Sequence, residues 1–177
     1  MSLSIRSSVL LVSIFCCCLW AWSVRAQGAS QAEKTQFDTS RERIGPLRLG
    51  MAEKDVKGAV SCRPGKGREI LEGATREYVQ NWKYPKCGVI LKMSSERKGG
   101  PKTVADITLT SPCDFKTGKG IHIGSTERQV REAYGRYRDP EASAAGQTFI
   151  AGSIFDGLMF TFRDGKVVEI FLGAAAE

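Results

Sequence analysis

Two similar stretches decide the fold: LRLGMAEKDVKGAV at residues 47–60 and IHIGSTERQVREAY at residues 121–134. They align without gaps at an offset of 74 residues, and Gly50 and Gly124 occupy the same place in both. In each stretch a short alternating apolar segment ends at this glycine, which can adopt a positive φ. Apolar residues then recur three and four positions apart, which is the spacing of one helix face. The pattern predicts an internal repeat whose unit begins with an extended segment, a turn and a short helix.

The two predicted helices differ in how firmly they begin. Thr126 can accept a hydrogen bond from the backbone of Gln129, whose side chain can reach back, and this pair has the pattern of a capping box. Ala52 stands at the same place in the first stretch and offers no acceptor. We therefore expect a weaker start for the first helix.

Strand signals follow each helix, because alternating and β-branched residues are bounded there by turn residues. The predicted strands are 74–82, 88–93 and 103–110 in the first half and 147–153, 158–163 and 166–172 in the second. Asp164-Gly165 between the last two is a strong hairpin turn. The sequence predicts an α+β fold of two tandem repeats, each a short helix packed on a small antiparallel β-sheet. Their predicted boundaries are 44–112 and 113–177.

Alternation within the last strand predicts which side chains reach the core. We expect Val168, Ile170 and Leu172 to face it, and Val167 and Phe171 to face away.

Residues 1–26 predict a secretory signal peptide. One cation precedes an apolar run over 9–22, and the small residue Ala26 ends the segment, so cleavage is expected between Ala26 and Gln27. The run is shorter than the ~20 apolar residues of a membrane-spanning helix, so no transmembrane segment is expected after cleavage. An uncleaved anchor is the alternative. We expect a periplasmic or secreted protein.

Three adjacent cysteines, Cys16 to Cys18, raise the alternative of a lipoprotein. A bulky Phe15 precedes them where a lipobox has a small residue, and cleavage after Ala26 would remove all three. The sequence therefore disfavours a lipid anchor. Residues 27–43 have little apolar content and predict a flexible leader.

Cys62, Cys87 and Cys113 remain after cleavage. In an oxidising compartment three cysteines predict one disulfide and one free thiol. We predict the pair Cys87–Cys113, because both residues fall near the open end of one predicted hairpin. The alternatives use Cys62.

Composition excludes several classes of protein. The 177 residues include 26 Lys or Arg and 19 Asp or Glu, with 42% apolar residues, which excludes collagen-like, disordered and multi-pass membrane chains. Without residues 1–26 the net charge is +5 over 151 residues, and we expect no nucleic-acid partner. His122 is the only histidine, which excludes a His-rich metal site. We predict no catalytic residue, metal or cofactor, and a hydrolase using an unidentified carboxylate pair is the remote alternative.

Three stretches resemble a known family: IGPLRLGMAEKDV at 44–56, GIHIGSTERQVREAYG at 120–135 and FTFRDGKVVEIFL at 160–172. They are similar to the β-lactamase-inhibitor-protein-like (BLIP-like) fold, which is shared with the SmpA/OmlA-like outer-membrane lipoproteins. The resemblance implies extracytoplasmic proteins that bind other proteins and catalyse nothing. In the tandem inhibitors the sheets of two repeats form a concave surface that holds the target. Two copies and the lack of a good lipobox make this sequence more similar to the tandem form.

The predicted function is an exported, non-enzymatic protein-binding module, acting as an inhibitor, an immunity-type protein or an envelope-assembly protein. Its partner would be an unidentified protein in the cell envelope or outside the cell, held by the exposed face of the sheets. Aromatic, Met and Arg side chains are enriched at such interfaces. The candidate contact residues are Tyr78, Trp82, Met159, Arg163 and Phe171. For Tyr78 and Trp82 a place in the core is an equal alternative.

A second candidate surface is basic. Arg128, Arg131, Arg136 and Arg138 lie on the second helix and the loop after it. The alternative function is binding of an anionic envelope polymer, at the cell wall or the outer-membrane surface, through these residues. An ordinary solvated helix face is the other interpretation.

Overall fold

The computed structural model describes residues 36–176, which form eight strands and two short helices. The strands are β1 (Gly65–Lys66), β2 (Ile70–Leu71), β3 (Tyr78–Tyr84), β4 (Val89–Ser95), β5 (Thr103–Thr110), β6 (Thr148–Gly152), β7 (Gly157–Arg163) and β8 (Lys166–Gly173). The helices are α1 (Glu53–Ala59) and α2 (Glu127–Tyr134). The predicted α+β class is confirmed. The predicted signal peptide, with its cleavage site at Ala26 and Gln27, lies outside the described residues.

All eight strands belong to one antiparallel sheet. Its order is β1-β3-β4-β5-β8-β7-β6, and β2 also pairs with β3. The two meanders β3–β5 and β6–β8 meet where β5 pairs with β8, from Ile107 opposite Leu172 to Thr110 opposite Glu169. The long strands therefore form a single surface across both halves of the chain.

Both helices pack on the same face of this sheet. Val56 of α1 and Val130 and Tyr134 of α2 are fully buried, and they belong to one cluster with the inward side chains of the long strands. Burying one large apolar side chain contributes roughly 1.5–3 kcal/mol. The strand residues of this cluster include Trp82, Leu91, Ile107, Leu109, Phe160, Ile170 and Leu172. The opposite face of the sheet carries neither helix.

The chain before each helix is hydrogen-bonded to the last strand of the following meander. Backbone bonds of 2.8–2.9 Å run from Gly50 N to Val104 O, from Val104 N to Met51 O, from Gly124 N to Val167 O and from Val167 N to Ser125 O. These bonds fix the start of each helix against the sheet.

The capping hydrogen bonds at the starts of α1 and α2 are those expected from the residues at their N-cap positions. At α2, Gln129 N donates to Thr126 Oγ1 at 3.2 Å and Thr126 N donates to Gln129 Oε1 at 2.8 Å, so the predicted capping box is confirmed. At α1, Ala52 makes no side-chain cap bond. Neither helix of residues 36–176 has the length or apolar character of a membrane span.

A β-bulge changes the facing of the last strand. The register between β7 and β8 shifts after Thr161, so that Phe162 lies opposite Val167. Val167 is therefore buried in the core, while Val168 is only half-buried. The prediction that Val168 faces the core and Val167 faces away was wrong, because simple alternation does not include the extra residue of a bulge.

The end of the predicted flexible leader packs against the body of the protein. Phe37 is 7% exposed and its ring meets that of Tyr134 edge to face, with 6.0 Å between centroids. The buried Glu42 carboxylate accepts hydrogen bonds from Tyr134 Oη at 3.1 Å and from Gly118 N at 2.7 Å. For residues 36–43 the flexible assignment was wrong, because one aromatic ring and one paired carboxylate are buried there.

The disulfide joins Cys62 and Cys87, with 6.1 Å between their Cα atoms. The presence of a disulfide is confirmed, but the predicted pair Cys87–Cys113 was wrong. After β5 the chain turns back, with Cys113 N donating to Thr110 O at 2.9 Å, and this turn buries the Cys113 thiol. Cys62 follows closely after α1 and reaches the turn that contains Cys87.

Candidate functional site

The side chains that point away from the helices form a row across the sheet. Directly opposed cross-strand pairs link its members from one strand to the next, and such neighbours are about 5 Å apart at Cβ. We call this set the open row: Lys83, Ile90, Thr108, Phe171, Met159 and Ile150, in order from β3 to β6. It crosses the junction between β5 and β8 and so combines residues from both halves of the chain.

Most of the open row is accessible. Ile90, Thr108, Phe171 and Met159 are half-buried, and Lys83 is exposed. At the far end Ile150 is 6% exposed. The row is therefore a mostly apolar strip, interrupted by the Thr108 hydroxyl, that begins at a cation.

The far edge of the sheet is covered by the segment that leads into β6. Asp139 N donates to Ile150 O at 2.8 Å, and Ile150 N donates to Ser143 Oγ at 3.0 Å. These bonds occupy the backbone groups that an edge strand would otherwise offer to another chain. The accessible surface is thus the open face of the sheet and not this edge.

A charged cluster borders the open row on one side. Lys92 Nζ lies 2.7 Å from Glu72 Oε1 and 3.8 Å from Asp106 Oδ2. Glu72 belongs to the turn between β2 and β3, so this turn folds over the edge of the open face. A cavity of about 260 Å³ lies among these side chains and Phe155, which is 63% exposed. The cluster holds one ammonium group between two carboxylates, to one side of the open row.

Two of the predicted contact residues are brought together. Met159 and Phe171 are directly opposed on β7 and β8, in the second half of the open row. Arg163 is exposed but lies at the hairpin end of β7, opposite Lys166 and away from the row.

Trp82 does not belong to the exposed face, and its assignment as a contact residue was wrong. Its ring is completely buried opposite Leu91, and Nε1 donates to Gln80 Oε1 at 2.9 Å. Tyr78 is half-buried and shares this inward side by strand alternation. The signal was present in the sequence, because the polar residues Asn81 and Lys83 alternate with Trp82 and mark the outward side.

Sequence reasoning missed four members of the open row: Lys83, Ile90, Thr108 and Ile150. Only the cross-strand register places these residues beside Phe171 and Met159, and that register depends on the pairing of distant segments.

The arginines of α2 are engaged within the helix. Arg131 Nη2 lies 2.6 Å from Glu127 Oε1, and this hydrogen bond lowers the pKa of the Glu127 carboxyl. Arg128 lies 3.7 Å from Glu132 one turn along. Such pairs are ordinary for an exposed helix surface.

The remaining two arginines of the predicted basic patch lie in the turn after α2. The Arg136 guanidinium stacks on the Tyr137 ring, 4.6 Å from its centroid. Arg138 is half-buried and forms a backbone bridge with Ala151. The four arginines therefore do not converge on one open site.

Groups with catalytic potential are isolated from one another in the part of the chain that the structure describes. His122 Nδ1 lies 2.8 Å from the carbonyl oxygen of Ile123. Burial raises the pKa of the Cys113 thiol. Within residues 36–176 no group of three or more His, Cys, Asp or Glu side chains is placed to hold a metal ion. No family model, curated protein or solved structure matches the chain.

Proposed function

We propose that this chain is a non-enzymatic protein-binding module that holds its partner against the open row. The observation that carries the proposal is the apolar strip on the face of the sheet that bears no helix. Five of its six side chains have no titratable group, so they suit contact and not acid–base chemistry. Phe and Met are enriched at protein interfaces, and contiguous exposed apolar surface is typical of binding sites.

We also propose that the chain consists of two tandem helix-plus-sheet repeats, 44–112 and 113–177. The hydrogen bonds that precede α1 and α2 are equivalent pairs, which supports this assignment. The register of β4 against β5 shifts between Lys92 and Met93, and that of β7 against β8 shifts between Thr161 and Phe162. A bulge in the same place of both meanders supports duplication of one unit.

The tandem proposal gives the open row a physical origin. Joining β5 to β8 merges two small sheets into one face that neither repeat has alone. A merged, uncovered face is what the resemblance to the BLIP-like tandem inhibitors implies, and it supports a role as an inhibitor, immunity-type protein or envelope-assembly protein. The partner is accordingly a folded protein with an apolar surface.

Export to the periplasm or out of the cell is part of the same proposal. The Cys62–Cys87 disulfide supports it, since structural disulfides persist mainly in oxidising compartments. The alternative of polymer binding through α2 has less support, because Arg128 and Arg131 each have a glutamate partner one turn away.

Affinity capture tests the proposal. The purified protein is immobilised, envelope and secreted proteins of the producing cells are passed over it, and the retained protein is identified and its Kd measured. The variant is Phe171→Ala, and the matched control is Phe155→Ala, which removes an even more exposed ring outside the open row.

We expect one stoichiometric partner, retained equally by the wild type and the control. Loss of an interface aromatic of this kind costs about 2 kcal/mol, so Phe171→Ala should bind about 30-fold more weakly. Equal retention by Phe171→Ala would remove the open row as the binding surface. Equal losses in both variants would indicate nonspecific hydrophobic adsorption.

A further inference from the structure

A groove of about 670 Å³ lies at the β1 end of the sheet, next to the disulfide. One wall is the segment 63–67 and the other is formed by Lys83, Pro85 and Lys86. Four cations line it and no acidic residue does. We call the set Arg63, Lys66, Lys83 and Lys86 the basic groove.

The four cations have no acidic partner in the part of the chain that the structure describes. Cations elsewhere in residues 36–176 do have carboxylate partners, as in the pairs Lys102–Glu69 and Lys92–Glu72. Among residues 36–176 no carboxylate lies within 4.0 Å of a charged nitrogen of the basic groove. The cations line the cavity from both sides of the sheet, since Lys66 lies over Trp82 on the helix-bearing side and Lys83 lies on the open side. Like charges around one cavity repel each other, and a bound anion would relieve this repulsion.

The walls of the groove are held in place. The Cys62–Cys87 disulfide connects the residues directly before Arg63 and directly after Lys86. β1 pairs with β3, placing Gly65 opposite Lys83, and Gln80 Nε2 donates to Gly67 O at 2.8 Å. The groove is therefore formed before any ligand arrives, which reduces the entropic cost of binding.

One cation is positioned by an aromatic ring. Lys66 Nζ lies 3.7 Å from the centroid of the buried Trp82 ring. This cation–π contact holds the ammonium group over the ring instead of leaving it mobile in solvent.

We propose that the basic groove binds an acidic segment of the protein partner whose folded surface covers the open row. The inference rests on the proposed function. Lys83 carries the argument, because it belongs to both surfaces: it is the first member of the open row and a wall of the groove. A partner seated on Phe171 and Ile90 would therefore meet the cations at the edge of its contact.

The shape of the groove favours a peptide over a compact anion. Its cations are distributed over two walls of an open space, whereas a single phosphate is usually held by converging donors. Pro64 and Pro85 and the glycines between the cations add apolar and small surface. An extended chain carrying successive carboxylates matches this arrangement of charge.

The test uses decaglutamate as the probe, titrated into the whole protein in a calorimeter at low and high salt. The groove variant is Arg63→Gln/Lys86→Gln, in which both residues are exposed and neither belongs to the open row. The matched control is Arg128→Gln/Arg131→Gln, which removes the same charge from exposed positions on α2. Tripolyphosphate serves as the second probe.

We expect decaglutamate binding that weakens about tenfold in the groove variant, remains unchanged in the control and falls with added salt. Equal affinities of the groove variant and the wild type would overturn the proposal, as would equal losses in the control. Binding of tripolyphosphate without binding of decaglutamate would overturn it too, since the groove would then be a phosphate site.

The experiments distinguish an error in the basic-groove inference from an error in the proposed function. Phe171→Ala should bind decaglutamate like the wild type, because Phe171 lies three strands away from the groove wall. If the captured partner is lost by Phe171→Ala but kept at full affinity by Arg63→Gln/Lys86→Gln, the groove inference is wrong and the open row stands. If Phe171→Ala retains every captured protein as well as the wild type does, but decaglutamate binds the basic groove, the open row is not the binding surface and the acidic-peptide site stands.

Discussion

Removal of the Cys62–Cys87 disulfide should cost a large part of the stability of this protein. The two cysteines are separated by 25 residues. For a closed loop of about 25 residues, the chain-entropy relation gives about 12 cal/mol/K, or about 3.5 kcal/mol at 25 °C. For a domain of about 150 residues, this corresponds to a decrease in Tm of roughly 7–14 °C. The Cys62→Ala/Cys87→Ala variant should show both losses.

The measurement is urea unfolding of the oxidised protein, followed by far-ultraviolet circular dichroism. Cys113→Ala is the control, because it removes one buried sulfur atom and leaves the disulfide intact. Removing one buried sulfur atom from a core lowers the free energy of unfolding by about 1 kcal/mol. Cys113 should also resist alkylation until the chain unfolds, since its thiol is buried and its raised pKa keeps the thiolate scarce.

The Cys62–Cys87 pairing would be refuted if replacing Cys113 lowered the stability more than replacing Cys62. A loss of about 3.5 kcal/mol on Cys113→Ala, with no loss on Cys62→Ala, would show that Cys87 pairs with Cys113. The two loops are almost equal in length, so the size of the loss alone does not distinguish the pairings. The pairings are distinguished by which replacement, that of Cys62 or that of Cys113, lowers the free energy of unfolding.

Three further predictions concern single residues. Gly88→Ala should unfold the protein or destabilise it by far more than Gly50→Ala. Both glycines have positive φ, which costs an alanine about 1–2 kcal/mol, but a Cβ at Gly88 would also overlap a backbone carbonyl of β5. Urea unfolding of both variants measures the difference. Thr126→Ala should lower the free energy of unfolding by about 1 kcal/mol through loss of the capping box at α2, measured in the same way. Glu127→Gln should destabilise the protein at pH 7, because the hydrogen bond from Arg131 lowers the pKa of this carboxyl in the folded state. That stabilisation is present above the ordinary pKa of 4.5 and is lost as the pH falls through the lowered value, so the two unfolding free energies should converge in acid.

Local signals were sufficient to predict most of the secondary structure. Alternation placed the six long strands to within a few residues, and Asp164-Gly165 forms the predicted hairpin turn with positive φ at both residues. The Thr126 capping pattern predicted the start of α2 correctly. Each of these features depends on residues adjacent in sequence, which is why it could be predicted.

The errors arose where distant segments decide the outcome. Val167 faces the core only because β8 contains a bulge opposite β7. The partner of Cys87 depends on the path of the chain after α1. The open row was found only in part, because it continues across the β5–β8 junction, which pairs two strands that are distant in sequence.

The contact between Lys66 and Trp82 provides the protein with an intrinsic optical reporter. Trp82 is the only tryptophan after residue 26, so its indole dominates the intrinsic fluorescence of any chain that lacks the predicted signal peptide. The ring is inaccessible to water, which shifts its emission to shorter wavelength, and it lies directly below an ammonium group of the groove wall. A ligand that draws Lys66 away from the ring alters the electric field at the indole. Occupancy of the groove can thus be followed by emission wavelength, without a label, in the wild-type protein.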